Sequence, residues 1–156
     1  MRPLQCRRAL WRKITRELRD RGHGTRESGG FLLGVRKGTT RIIKALLPYD
    51  TVDPEALRGH IVFDGSRMDI VWRECRRRNL EVVADVHTHP CGFSQSTIDR
   101  ANPMIPERGH IALIVPNFAD RLYLPGSIGI YEFRGRDLWV DHSSKGAAFF
   151  AVRWIG

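Results

Sequence analysis

The sequence predicts an α+β domain, on three observations. Two stretches, residues 3–21 and 65–79, carry apolar residues at helical spacing. Between and after them lie short runs of apolar and β-branched residues, bounded by glycine and proline as strands are. No repeat, low-complexity segment or linker divides the 156 residues. They read as one domain over 1–156, long enough for a hydrophobic core.

The first predicted helix spans residues 3–21. Pro3 suits its first position, where a missing N–H costs nothing. Leu10, Trp11, Ile14 and Leu18 form its apolar stripe, and Gly22 is its stop. Arg7, Arg8, Arg12, Lys13, Arg16 and Arg19 occupy the other face. A solvated face is the default reading of such a run; a docking surface for an acidic partner is the alternative. Residues 29–35 and 39–47 read as two strands joined at Arg36-Lys37-Gly38. The glycines at the start of the first serve a tight backbone or a close approach by a substrate or the metal loop. Residues 48–59 read as a loop, and Ile61-Val62-Phe63 as a short edge strand. The second helix, residues 65–79, has Met68, Val71, Trp72 and Cys75 as its core stripe. Arg73, Arg76, Arg77 and Arg78 lie mostly outside that stripe, and positive charge in the last turn suits the helix dipole.

Leu80 to Thr88 is the central strand, with Val82, Ala84 and Val86 on one face and Val83, Asp85 and His87 on the other. Residues 110–115 form a strand apolar enough to be buried on both faces. A loop over 117–126 and a hairpin of 127–133 with 137–141 follow. The tail, Ala147 to Ile155, is apolar enough to pack down.

Bulk properties narrow the function. The net charge of +9 and pI near 10.3 favour an acidic partner. The basic residues are scattered over two helices without an aromatic platform, so nucleic acid is not the expected one. Cys6, Cys75 and Cys91 are an odd number without CxxC spacing, which points to a reducing, cytoplasmic setting rather than a disulfide framework. No apolar run approaches a membrane span, and the basic N-terminus lacks the apolar core of a secretory signal.

The chemistry concentrates at Ala84-Asp85-Val86-His87-Thr88-His89-Pro90 and Ser94-Gln95-Ser96-Thr97-Ile98-Asp99. Side chains alternate along a strand, so His87 and His89 point the same way. Pro90 ends the strand. Ser96 reads as a helix N-cap with Asp99 at N3. Two imidazoles and a carboxylate with a fourth position open describe a catalytic zinc site. Taken singly, the histidines are more often surface or core residues and Ser96 and Asp99 only a cap. The combination is far more specific. Asp85 either orients a ligating histidine or is merely exposed. Cys91 reads as a loop residue, and His23, His60, His110 and His142 as structural.

His-Thr-His-Pro, a short gap and Ser-x-x-Asp resemble the motif of the JAMM metalloproteases, the MPN-plus or JAB-domain family. That motif also has an upstream glutamate before a glycine-rich strand, matched by Glu27-Ser28-Gly29-Gly30-Phe31-Leu32-Leu33-Gly34. The resemblance covers most of the chain. It implies an MPN-type α+β fold: a curved, mostly antiparallel sheet with flanking helices and a cytidine-deaminase-like core. It implies one zinc on His87, His89 and Asp99, with Glu27 as general base. Ser96 would donate to the oxyanion, a role that competes with its cap. It further implies a peptidase acting after the C-terminal glycine of a ubiquitin-like protein or its conjugates, in a prokaryotic system with a ubiquitin-activating-like enzyme, including antiphage operons. The incoming tail would add as a strand to the edge at residues 60–63. A small-substrate JAMM hydrolase and a DNA-associated MPN-like module are the alternatives.

Overall fold

The computed structural model describes residues 2–154; Ile155, at the end of the predicted tail, lies outside the described residues. The strands are β1 (Leu4–Arg7), β2 (Gly29–Lys37), β3 (Thr40–Pro48), β4 (Glu81–Thr88), β5 (Ile111–Val115), β6 (Gly129–Phe133), β7 (Trp139–Asp141) and β8 (Phe150–Arg153). The helices are α1 (Arg8–Gly22), α2 (Tyr49–Val52), α3 (Met68–Arg78) and α4 (Thr97–Ala101). The strands form one curved eight-stranded sheet in the order β7-β6-β5-β4-β2-β3-β1-β8. The predicted α+β class holds. The sheet is mixed: β4 with β5, and β1 with β3 and with β8, are parallel, while the other neighbours are antiparallel.

One core lies on each face. α1 places Trp11, Ile14 and Leu18 over Leu32, Ala84, Val86 and Leu113. Burying each such side chain stabilises by roughly 1.5–3 kcal/mol. On the other face, Val71 and Cys75 of α3 pack with Phe31, Leu33 and Tyr49. Both helices end on a left-handed residue, His23 (φ 55°) and Asn79 (φ 53°), whose N–H closes the last turn.

The structure corrects four expectations. The first helix begins at Arg8, and Leu4–Arg7 is instead a strand pairing with β3 and β8. Leu4 and Cys6 are buried and Arg7 is exposed, a period-two pattern too short to stand out beside the helical stripe. Trp72, expected in the core, is 39% exposed. Residues 61–63 are not a strand; the Val62 N–H donates to Ala56 O at 3.1 Å, folding this loop on itself. Finally, β4 bulges against β2: Leu32 faces Ala84 while Leu33 faces Val82. Val83 is the extra residue, so the alternation slips there. Val83 joins Ala84 and Val86 in the α1 core, and Val82 turns to the α3 side with Asp85 and His87.

The glycine question is settled by space. A Cβ on Gly29 would lie 2.5 Å from Val86 O, 2.7 Å from the Tyr49 ring and 2.8 Å from His87 Cβ. Here β2 is glycine because protein, not substrate, fills the space. Gly29→Ala is expected to lower stability by about 1–3 kcal/mol through overpacking. Gly65→Ala, where a Cβ meets nothing within 4 Å, should stay within about 0.5 kcal/mol. Denaturant unfolding of the two variants checks both values.

Candidate metal centre

The site is built where β2 starts and β4 ends. Gly29 of β2 faces His87 of β4. One residue further out, Thr88 N–H donates to Ser28 O at 2.8 Å, and Ser28 N–H donates to Thr88 Oγ1 at 2.9 Å. Ser28 Oγ in turn donates to Leu18 O at 2.6 Å, tying the junction to α1. Carrying the register one step on sets Glu27 opposite His89. Glu27 is half-buried, and its charge is among those that favour protonated His87.

His89 lies beyond the strand but is held as firmly. Its N–H donates to Val115 O at 2.9 Å, and its carbonyl accepts from Phe118 N–H at 2.9 Å. His87 Nε2 and His89 Nε2 stand 3.0 Å apart. Asp99 comes from the first turn of α4. Its Oδ1 is 3.3 Å from His87 Nε2 and its Oδ2 is 3.0 Å from His89 Nε2. All three donor atoms lie within 4.8 Å of one another. Their side chains are 10–19% exposed. Two nitrogens and one carboxylate oxygen converging on a point open to the cleft are a donor set suited to zinc.

The predicted N-cap is present in full. Asp99 N–H donates to Ser96 Oγ at 3.0 Å, and Ser96 N–H donates to Asp99 Oδ2 at 2.8 Å. The cap uses a lone pair of the Ser96 hydroxyl. Its O–H has no acceptor among the described residues, so capping and donating do not compete for the same atoms.

Electrostatics bind the cluster together. Burial works against a charged His87, but the hydrogen bond and charge of Asp99 outweigh it, and its pKa is raised. Burial alone would raise Asp99; the hydrogen bonds from His87 and His89 hold its carboxyl far below the usual range. Tyr49 sits behind the site, fully buried, and burial together with the Asp85 charge pushes its phenol well above the ordinary value.

Asp85 is neither exposed nor bonded to a ligating histidine. It is 2% exposed and pairs with His110 Nε2 at 2.6 Å. His142 pairs with Glu132 at 2.8 Å and stacks on Phe149, a structural role as expected. Cys91 is exposed in the loop after Pro90, outside the three-ligand group. The residue that sequence reading missed is Thr88, between the two histidines. Its alternation to the opposite, buried face was the available signal.

A cleft of about 480 Å3 opens from His87 and Asp99 along the sheet, walled by Phe63, Met68, Ile98 and Met104. Its lining is mainly apolar, as ligand clefts are. Among the described residues, no helix is long and apolar enough to cross a membrane.

The fold has counterparts among known proteins. The chain is similar to the solution structure of protein DSY2949 from Desulfitobacterium hafniense, with a TM-score of 0.71 and 14% identity over 96% of this chain and 92% of that one. It is also similar to a protein from Salinibacter ruber (strain DSM 13855), with a TM-score of 0.54 and 19% identity over 81% and 80%. At such identities the likeness concerns the fold alone. The uncharacterized HTH-type transcriptional regulator YgfI of Escherichia coli (strain K12) is 28% identical over 81 residues. That match covers 47% of this chain and only 27% of the regulator's length. Residues 7–117, which carry Glu27, His87, His89, Ser96 and Asp99, match the family described as prokaryotic homologs of the JAB domain, and the chain belongs to that family.

Proposed function

We propose that this protein is a zinc-dependent metallopeptidase that cleaves a peptide or isopeptide bond after the C-terminal glycine of a ubiquitin-like protein. The observation that carries the reading is the convergence of His87 Nε2, His89 Nε2 and an Asp99 carboxylate at 3.0–3.3 Å, beside Glu27. When bound, zinc supplies Lewis acidity, lowering the pKa of water from about 15.7 to about 7 and polarising a carbonyl. Glu27 accepts the proton of the attacking water and returns it to the leaving amine. Ser96 Oγ–H donates to the oxygen that becomes negative as the carbonyl carbon turns tetrahedral; such a donor is worth about 2.7–4 kcal/mol. The walls of the apolar cleft exclude water and hold the chain on one side of the scissile bond. The reading includes a cytoplasmic setting and a role in deconjugation or precursor processing. Its partners are a ubiquitin-like protein and its activating-like enzyme, as in an antiphage conjugation system.

The cleft also favours a second reading. At about 480 Å3 it is large enough to enclose a small amino-acid adduct by itself. Reporters with a ubiquitin-like tail ending in Gly-Gly, offered beside free dipeptides and amino-acid adducts, separate the two. Turnover of the fusions is expected; turnover confined to the small compounds would replace the first reading with the second.

Elemental analysis of purified protein should find one zinc per chain, and His87→Ala with His89→Ala should abolish it. In the metal-free protein the raised pKa of His87 means that zinc displaces a proton. Affinity is therefore expected to fall as pH drops through neutrality, by roughly tenfold per pH unit once a single proton is displaced. Calorimetric titration at acid and alkaline pH reads this directly, and equal affinities would remove His87 from the ligand set.

Glu27→Gln is expected to keep zinc while turnover falls by about 10²–10⁴-fold. Ser96→Ala should lower kcat more than it raises KM, because its bond strengthens in the transition state. A loss confined to KM would leave Ser96 only its cap.

A further inference from the structure

We propose that the groove between β1 and β3, away from the metal centre, docks an acidic, extended segment of a partner protein. β1 pairs with β3 only at Leu4–Arg41 and Gln5–Ile42, then turns into α1 at Arg8. β3 continues to Pro48, so past Ile42 its edge on this side has no strand partner among the described residues. An unpaired edge presents N–H and C=O groups that an added strand satisfies. The divergence of the two strands opens a groove of about 750 Å3, with Leu10, Ile42 and Ile43 in its lining. Lys37, Lys44 and Arg153 line it and are all three exposed; Arg7 lines it too, and among the described residues no carboxylate does. Among the described residues these three cations form no ion pair, whereas Arg21, Arg77 and Arg78 are each matched to an acid.

The combination selects its occupant. In a strand, alternate side chains point to opposite sides. A segment alternating acidic and apolar residues sets its acids against the cationic rim and its apolar side chains on the half-buried Leu10 and Ile42, while its backbone extends the β3 ladder. Nucleic acid meets the charge but not the rest, for it has no N–H and C=O ladder to satisfy an unpaired strand edge. Trp154 extends the surface: it is 78% exposed next to Arg153, with the Arg8 guanidinium 4.2 Å from its ring centre. Exposed tryptophan and arginine side by side are typical anchors of protein interfaces.

The test is fluorescence anisotropy on the full chain with a short labelled peptide of alternating glutamate and valine. Saturable binding is expected, together with none by the peptide carrying lysine for glutamate. Lys44→Glu with Arg153→Glu should weaken the acidic peptide by roughly tenfold or more. Methylating alternate backbone nitrogens of the peptide should weaken it similarly, because the ladder donors are lost. An unchanged zinc content and unfolding midpoint show that the double variant is folded. Absence of saturable binding, binding unchanged in the double variant, or insensitivity to N-methylation would each overturn the proposal. So would duplex DNA binding more tightly than the peptide and being lost in the same variant.

Discussion

The geometry of the candidate metal centre depends on the interlock between Ser28 and Thr88. Four hydrogen bonds make it: Thr88 N–H to Ser28 O, Ser28 N–H to Thr88 Oγ1, the Thr88 hydroxyl to Ser28 O at 3.4 Å, and the Ser28 hydroxyl to Leu18 O near the end of α1. Ser28 and Thr88 are 0% and 1% exposed, so these groups have little water to turn to and breaking the set leaves buried donors unpaired. The interlock fixes the start of β2 against the end of β4. Glu27 lies just before β2 on one side of the junction, and His87 and His89 flank Thr88 on the other.

The third member of the candidate donor set is positioned by different physics. Asp99 belongs to a helix of five residues, too short to be stable alone. Its capping box with Ser96 orders the first turn, and one carboxylate oxygen serves both the Ser96 N–H and His89. Local helix-capping chemistry and the ligand geometry are thus one constraint. The sheet supplies rigidity for two donors, and the cap supplies it for the third.

The charge of +9 is not spread evenly in its consequences. On α3, Arg77 and Arg78 are absorbed by Glu74 within one turn. At the metal centre the charges are buried and mutually compensated. Among the described residues Lys37, Lys44 and Arg153 form no ion pair, and around the β1–β3 groove they sit beside apolar side chains and an open strand edge. The molecule therefore has two chemically distinct surfaces, one acid-and-imidazole and one cationic.

Local pattern and tertiary context divide cleanly here. The His-x-His alternation, the stop at Pro90 and the Ser96–Asp99 cap were legible from the sequence because each depends on neighbours a few residues away. The amphipathic stripes of α1 and α3 and the β2–β3 hairpin were legible for the same reason. What only tertiary structure decided depends on distant partners. Leu4–Arg7 became a strand because Phe150–Arg153, from the other end of the chain, lies alongside it. The bulge at Val83 reversed the faces of Val82 and Val83 because β2 pairs out of step across it. Asp85 turned inward to His110, whose strand neighbour β5 comes from far along the chain. Trp72 stayed half in solvent because the α3 core was already filled by Phe31, Leu33 and Tyr49 from other elements. Periodicity reports which side of an element is apolar; what stands against that side is set by pairing and packing between segments remote in sequence.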